Sequence, residues 1–193
     1  MTRSARVTEL LEAAVAIVAA DGLRGLTHRA VDSRAGVPPG STSYYFRTRQ
    51  ALLQGLAELI AEHEQRDIEQ AEVSPELADA PMLRQAADLV AGVLVHWLGP
   101  ARQRTRARLE IWLLAAERPE MREALGRVRE HFLERSRLLL AGTGSAAPAE
   151  NAQLVVAMIE GLTYDGVTRP VPEPPDRPTL RRVVEKILLA AAE

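Results

Sequence analysis

The segment that decides the fold of this chain is THRAVDSRAGVPPGSTSYYF, residues 27–46. Thr27 is a good N-cap for a short helix, because its hydroxyl can accept a hydrogen bond from a backbone N–H of the first turn. Gly36 stands where that helix should end, since glycine adopts the left-handed conformation at little cost. A second short segment follows that is rich in hydroxyl groups and then aromatic. This pattern is typical of a helix-turn-helix, whose second helix lies in the major groove of DNA.

The side chains of this segment are expected to divide into buried and exposed groups. Phe46 should be buried, whereas the hydroxyl of Tyr45 should be free to reach a phosphate. Asp32 is expected to be exposed or paired with an arginine. The small residues around Gly40 keep the outer face of the second helix low, so that its backbone can approach bases. A helix, a glycine turn and a helix also occur in bundles that never meet DNA, so the pattern alone leaves both interpretations open.

The distribution of charge favours the DNA interpretation slightly. Residues 1–50 contain seven arginines and four acidic residues, which gives a net charge of +3. The whole chain carries −2, so the remainder carries −5. A modestly basic end on an acidic body is what attraction to phosphate requires.

The motif extends on both sides of the helix-turn-helix. The positions of this longer motif are Ala16, Ala19-Ala20-Asp21-Gly22-Leu23, Gly25-Leu26-Thr27, Arg29, Ala35-Gly36-Val37, Gly40, Tyr45-Phe46, Arg49 and Leu52. In this form it resembles the N-terminal motif of the TetR (TetR/AcrR) family of transcriptional regulators, and the spacing from Thr27 to Leu52 matches without a gap.

The resemblance implies an all-α fold of about nine helices. Residues 1–47 would form a three-helix DNA-binding head with the helix-turn-helix, and residues 48–193 a helical ligand-binding and dimerisation body. The implied function is a ligand-responsive transcriptional regulator, a repressor released from its operator by an unidentified small molecule. The implied partners are a pseudo-palindromic double-stranded DNA operator and a second copy of the chain.

The resemblance also implies which residues meet DNA. Thr27 and Arg29 fall near the start of helix 2, Tyr45 at an aromatic that meets a phosphate, and Arg49 at a basic phosphate contact. The full set of expected DNA-binding residues is Thr27, His28, Arg29, Pro39, Gly40, Ser41, Ser43, Tyr44, Tyr45 and Arg49. Three positions depart from the family pattern. Thr42-Ser43 replaces a usual Leu-Tyr pair, Pro38 replaces a cap, and Asp32 replaces a small apolar residue.

Helical periodicity dominates the rest of the chain. Helix 1 is predicted over residues 4–20, ended by Gly22, and helix 4 should begin at the N-cap Thr48 and continue to a break at Ser74-Pro75. Later helices are predicted over 76 or 81 to 98, 101–117, 120–141, 149–167 and 179–192. A proline-rich link should occupy residues 170–178.

The last two helices are the predicted dimer surface. Each carries apolar residues at helical spacing, and helix-turn-helix proteins need two heads at the separation of successive half-sites. Burial of either face within one subunit is an equally open alternative. The residues assigned to the interface are Leu154, Met158, Leu162, Leu180, Val184, Ile187 and Leu188.

A ligand pocket needs apolar and aromatic walls with a few polar groups. The residues assigned to it are Met82, His96, Trp97, Trp112, Met158 and Tyr164, with Trp97 and Trp112 as first choices. Further candidates are Leu94, Met121, Phe132, Glu110, Asn151 and Asp165. Ordinary packing in the core is the alternative for each apolar residue.

Composition restricts the other functional classes. The chain has no cysteine, which excludes disulfides and cysteine metal sites. Nucleotide-binding glycine motifs and zinc-protease motifs are absent, so we expect no catalytic site, no cofactor and no metal. We also expect a cytoplasmic protein that does not enter a membrane. The competing interpretations are a helical protein-interaction scaffold and a small-molecule enzyme.

Overall fold

The computed structural model describes residues 4–169 and 175–193, and within these ranges the chain is all-α. The helices are α1 (Ala5–Gly25), α2 (His28–Ala35), α3 (Ser41–Tyr45), α4 (Arg49–Glu69), α5 (Met82–Leu98), α6 (Arg102–Ala116), α7 (Pro119–Gly142), α8 (Pro148–Thr168) and α9 (Arg177–Ala192). A single 3₁₀ turn covers Pro75–Leu77. The predicted fold class is confirmed.

The helix-turn-helix forms from the local signals in its sequence. The backbone N–H of Ala30 donates to the hydroxyl of Thr27 over 3.1 Å, which makes Thr27 the N-cap of α2. Gly36 ends α2 in the left-handed conformation with φ of 65°, where a side chain would be strained. The helical conformation of α1 is interrupted at Gly22, the predicted end of helix 1.

The later helix boundaries also follow the sequence signals. Thr48 caps α4, because the N–H of Ala51 donates to its hydroxyl over 3.1 Å. Gly99 ends α5, and Asp176 caps α9 through the N–H of Thr179. The first five residues of the predicted proline-rich link, 170–174, lie outside the described residues.

The chain folds as two compact units. The first contains the residues up to Glu64 together with Gln103–Gly126. It holds one apolar core, whose largest fully buried side chains are Leu10, Leu11, Leu26, Leu52, Leu56, Leu59, Ile60, Ile111, Met121 and Leu125. A buried ion pair joins Glu64 and Arg108, whose side chains are 4% and 3% exposed. Removal of one partner from such a pair costs about 3–5 kcal/mol, because the other charge stays buried.

The second unit contains Gln65–Arg102 and Arg127–Glu193. Its main core is built from α5, α8 and α9, with Leu94, Val155 and Val184 among the buried residues. Asp88 on α5 is 1% exposed and accepts hydrogen bonds from the Ser74 N–H over 2.8 Å and from the Arg177 guanidinium over 2.7 Å. This carboxylate therefore fixes the start of α9 against α5.

The pKa of Asp88 reflects these contacts. Burial raises the pKa of this carboxyl, but the hydrogen bonds from Ser74 and Arg177 lower it by more, so the net pKa lies below the ordinary value. The ionised form is therefore the one that the folded state stabilises.

The compact units do not divide the chain at residue 47. The first part of α4 and all but the first residue of α6 pack in the same unit as α1, α2 and α3. A compact unit and a functional region need not coincide, so the functional boundary between 1–47 and 48–193 stays a prediction.

Candidate functional site

The outer face of α3 is open to solvent. Tyr44 is 79% exposed and Tyr45 is 43% exposed, and Pro39, Gly40 and Ser43 are exposed beside them. The two tyrosine rings meet edge to face with their centroids 5.0 Å apart. A short helix with small residues at its start and aromatic hydroxyls at its end is therefore available to an external partner.

The inner face of α3 is anchored by Phe46 and Thr42. Phe46 is buried, as the sequence predicted, and Thr42 is fully buried. Gly40 precedes α3 with φ of 94°, which favours glycine at this turn. The buried residues therefore hold α3 in place, while its opposite side stays exposed to solvent.

Asp32 is where the sequence interpretation was wrong. It was expected to be exposed or paired with an arginine, but it is 4% exposed and binds the start of α3. Its Oδ2 accepts from the Gly40 N–H over 2.8 Å, and its Oδ1 accepts from the Thr42 N–H over 2.7 Å and the Thr42 hydroxyl over 2.6 Å. Three donors satisfy a carboxylate that burial alone would disfavour.

The pKa of Asp32 follows from the same contacts. Burial raises the pKa of this carboxyl, but the hydrogen bonds from Thr42 and Gly40, together with the nearby His28, lower it further than burial raises it. The net pKa lies below the ordinary value, so Asp32 carries a negative charge at neutral pH.

Among the predicted DNA-binding residues, His28 and Arg49 donate side-chain hydrogen bonds to carbonyls of residues distant in the chain. His28 donates from Nε2 to the carbonyl oxygen of Phe46 over 2.6 Å. The guanidinium of Arg49 donates to the carbonyls of Leu26 and Leu23, the latter over 2.7 Å. Both side chains therefore support the backbone beside the exposed face.

The remaining predicted DNA-binding residues lie at or near the open face. Thr27 and Arg29 are exposed at the start of α2, and Ser41 is half-buried, with its hydroxyl donating to the carbonyl of Pro38 over 2.6 Å. α2 packs against α3 within the first unit, and each of the two helices presents some of these residues to solvent.

An apolar cavity of about 300 Å³ lies within the second unit. Its wall comes from the end of α4 and from α5, α7, α8 and α9. The residues that line it include Ala86, Trp97, Phe132, Arg135, Ser136 and Glu160. Its volume lies at the lower end of the range for small-molecule sites.

Trp97 presents an aromatic surface to this cavity. Its indole N–H donates to Asp67 Oδ2 over 2.9 Å, and the other oxygen of Asp67 lies 3.4 Å from His96 Nε2. The ring also meets Phe132 edge to face with centroids 6.0 Å apart. Because Asp67 accepts the indole N–H, the ring offers a bound molecule its aromatic face and no hydrogen-bond donor.

The predicted pocket residues are only partly brought together. Met82 and Trp97 line the cavity, and so do the further candidates Leu94 and Phe132. His96 lies behind Trp97 against Asp67, and Trp112 packs against the core of the other unit. Met158 and Tyr164 are more than half exposed on α8 and do not line the cavity. We therefore no longer assign these four residues to the pocket.

The predicted dimer residues separate into three groups. Leu180, Val184 and Leu188 are buried in the core of the second unit, so they cannot form a subunit contact without repacking, and this corrects their assignment. Leu162 and Ile187 are half-buried against that core. Leu154 and Met158 are 58% and 53% exposed on α8.

Three features escaped the sequence interpretation. The cavity residues of α7, Arg135 and Ser136, look like an ordinary helix surface, and the apolar wall looks like core. The contacts of Asp32 join residues of two helices, and no local pattern reports them. Of these features, only the contacts of Asp32 had a signal in the sequence, because Asp32 departs from the family pattern of a small apolar residue at this position.

Residues 4–169 and 175–193 contain neither a cluster of metal ligands nor a helix that could span a membrane. No cluster of three or more acidic or histidine side chains there could hold a metal ion. None of the helices in this part of the chain combines the length and apolar character needed to span a bilayer.

Two family models match the chain. Residues 10–56 match the model described as bacterial regulatory proteins, tetR family, and residues 81–190 match the one described as tetracyclin repressor-like, C-terminal domain. The second match alone covers more than half of the chain. No curated protein sequence matches significantly.

Solved structures share the whole fold. A transcriptional regulator from Rhodococcus sp. Rha1 superposes with a TM-score of 0.78 at 18% identity, over 95% of this chain and 94% of the other. A TetR family member from Streptomyces coelicolor A3 gives 0.70 at 27% identity, over 95% and 98%. The multidrug binding protein EbrR, complexed with ethidium, gives 0.66 at 28% identity, over 94% and 98%.

Proposed function

The chain belongs to the TetR family of ligand-responsive DNA-binding transcriptional regulators, and from that premise we propose that it is a homodimeric repressor. Its operator is a pseudo-palindromic DNA duplex, and a small aromatic molecule releases it. The observation that carries the DNA assignment is that α3 has an exposed outer face, while buried residues anchor its inner face. Such a helix fits the major groove, where base edges distinguish sequences.

We divide the predicted DNA-binding residues by their contacts. Pro39, Gly40, Ser41 and Ser43 let the backbone of α3 approach base edges, and Tyr44 and Tyr45 offer hydroxyls to phosphates. Thr27 and Arg29 contact the DNA backbone near the start of α2. His28 and Arg49 act first as supports, because their side chains already bond to carbonyls of the chain.

The proposed dimer forms through the outer face of α8. The exposed apolar residues of that face are Leu154, Ala157, Met158 and Tyr164, with Gly161 between them. Contiguous exposed apolar patches mark interaction surfaces. A stable contact would remove about 800 Å² per partner from water. Two α3 helices must then lie roughly 34–36 Å apart to meet successive half-sites.

The proposed effector is a compact aromatic cation that occupies the cavity of the second unit. Trp97 and Phe132 supply ring surfaces that attract a cation, and Glu160 adds a carboxylate to the wall. Arg135 also lines the cavity, but its side chain is exposed, where solvent screens its charge. The binding of ethidium by EbrR supports this class of molecule.

Release of the operator follows from linkage. A molecule that binds one conformation of the protein better than the other shifts the equilibrium by its differential affinity. We propose that the effector favours a conformation in which the two α3 helices no longer match the half-sites. α4 begins in the first unit and ends in the second unit, which holds the cavity, and it is the proposed connecting element.

The first experiment selects bound fragments from random duplex DNA with the full chain. We expect the selected sequence to contain two inverted half-sites. A plot of log affinity against log salt concentration should have a negative slope of roughly 0.9 per neutralised phosphate. A protein-interaction scaffold or an enzyme would give no enriched sequence and no steep salt dependence. That result would overturn the regulator proposal.

The second experiment tests the effector with ethidium as the probe. Ethidium also binds duplex DNA directly, so release from the operator is compared between wild type and Ala86→Phe, which places a ring in the cavity wall. Ala116→Phe on the exposed surface of α6 is the matched control. We expect wild type and the control to release DNA at a lower ethidium concentration than Ala86→Phe. Equal release by all three would show that the cavity has no role.

A further inference from the structure

Two side chains of α2 hold the two ends of α3. Asp32 binds the N–H groups of Gly40 and Thr42 and the Thr42 hydroxyl at its start, and His28 binds the carbonyl of Phe46 at its end. His28 and Asp32 are four residues apart and therefore share one face of α2. We name the group formed by Asp32, Gly40 and Thr42 the Asp32 bridge.

α3 depends on such external support because it is only five residues long. A helix of about one turn makes few internal hydrogen bonds, and its first N–H groups have no partner within the helix. Gly40 has no side chain that could cap them. The Asp32 carboxylate supplies the missing acceptors from another helix.

The negative charge of Asp32 makes a purely electrostatic benefit for DNA binding impossible. A carboxylate beneath a surface that approaches phosphates repels DNA of every sequence. Its contribution to operator binding must therefore come from geometry. Correct geometry matters for base contacts, whereas sequence-independent binding depends mainly on charge.

We propose that Asp32 and Thr42 are positioning residues that set the sequence specificity of α3. This inference rests on the DNA-binding function proposed above and adds residues that do not touch DNA themselves. The buried hydroxyl of Thr42 belongs to the same device, because it shares Asp32 Oδ1 with the Thr42 N–H. Loss of the bridge should lower the preference for the operator and leave the affinity for random DNA unchanged.

The test compares four single variants of the full chain and the double variant Asp32→Asn/Thr42→Val. Asp32→Asn keeps the shape but offers an NH₂ group to donors, and Thr42→Val removes only the hydroxyl. Asp21→Asn removes an exposed carboxylate of the head and is the control for charge, and Ser33→Ala is the control for a small change on α2. Dissociation constants are measured for the selected operator and for a scrambled duplex of equal length at one salt concentration.

For Asp32→Asn we expect operator affinity to fall about tenfold or more, as the loss of a charge-assisted hydrogen bond implies. Affinity for the scrambled duplex should stay equal or rise slightly. Thr42→Val should shift the ratio in the same direction by a smaller factor, and the double variant should show less than the product of the two effects. Asp21→Asn and Ser33→Ala should leave the ratio unchanged.

Two results would overturn the inference. If Asp32→Asn and Thr42→Val weaken binding to the operator and to the scrambled duplex by the same factor, the bridge acts only on folding of the head. If both variants keep the full operator preference of the wild type, α3 is positioned without the bridge. A wild type that prefers no DNA sequence would instead overturn the proposed function, so the two failures are distinct.

Discussion

Replacing Trp97 by phenylalanine probes the cavity with a change whose size can be worked out from the structure. The variant loses the hydrogen bond from the indole N–H to Asp67, and a bond to a charged group contributes about 1.5–3 kcal/mol. Asp67 keeps its contact with His96 at 3.4 Å, so the carboxylate is not left without a partner and the lower half of that range applies. The smaller ring removes apolar contact that adds about 1 kcal/mol.

We therefore expect the free energy of unfolding to fall by about 2.5–3 kcal/mol. For a chain of this length that corresponds to a decrease in Tm of roughly 5–12 °C. The protein should remain folded, because typical domains are stable by about 5–15 kcal/mol. Ethidium affinity should fall about tenfold with the loss of the indole face, while operator affinity without ethidium stays within about twofold of wild type.

Trp112→Phe is the matched control, because the chain has two tryptophans and Trp112 packs in the other unit. Thermal unfolding by circular dichroism gives the change in Tm. Ethidium binding in the absence of DNA is followed by quenching of tryptophan fluorescence, which should persist in Trp112→Phe. Quenching that disappears in Trp112→Phe and survives in Trp97→Phe would refute the assignment of the cavity as the effector site.

The remaining predictions concern the dimer, the acid stability and the head. Met158→Glu should shift the mass measured by light scattering towards the monomer and weaken operator binding, whereas Leu113→Glu, on a leucine of α6 that is 74% exposed, should change neither; a dimeric Met158→Glu would contradict the α8 interface. Because the folded-state pKa of Asp88 is lowered, its contribution to stability is present above the unfolded value near 3.8 and is lost as the pH falls through the folded value. Urea denaturation of Asp88→Asn should therefore show a lower stability than wild type at pH 7 and a smaller difference below pH 3.8; a constant difference would argue against this linkage. Arg49→Ala should lower Tm, since two carbonyls at the end of α1 lose their donors, and should also reduce the salt slope by about 0.9 if the same charge neutralises a phosphate. An unchanged Tm would contradict the supporting role.

The helix-turn-helix shows how far local signals reach. Thr27 and Thr48 cap helices as predicted, and Gly36 ends α2 as predicted, because each acts on backbone groups within three or four residues. The resemblance to the TetR family was read from the same short segment, and the two family models confirm it.

The dimer and pocket residues show where sequence periodicity stops being informative. The sequence pattern of α9 correctly predicted an apolar face. In the structure, Leu180, Val184 and Leu188 on this face are buried in the core of the second unit. On α8 the same kind of pattern leaves Leu154 and Met158 exposed. Periodicity reports that a helix has an apolar face, but it does not report what covers that face.

The sequence by itself determined the helical fold class, most helix boundaries and the family, because caps, glycines and prolines act on neighbouring backbone. Only the tertiary structure decided that Asp32 would bind α3 and that Trp97, but not Trp112, would line a cavity. These outcomes depend on contacts between residues far apart in the chain. The free energy of such contacts depends on which surfaces meet, and that information exists only once the helices have packed.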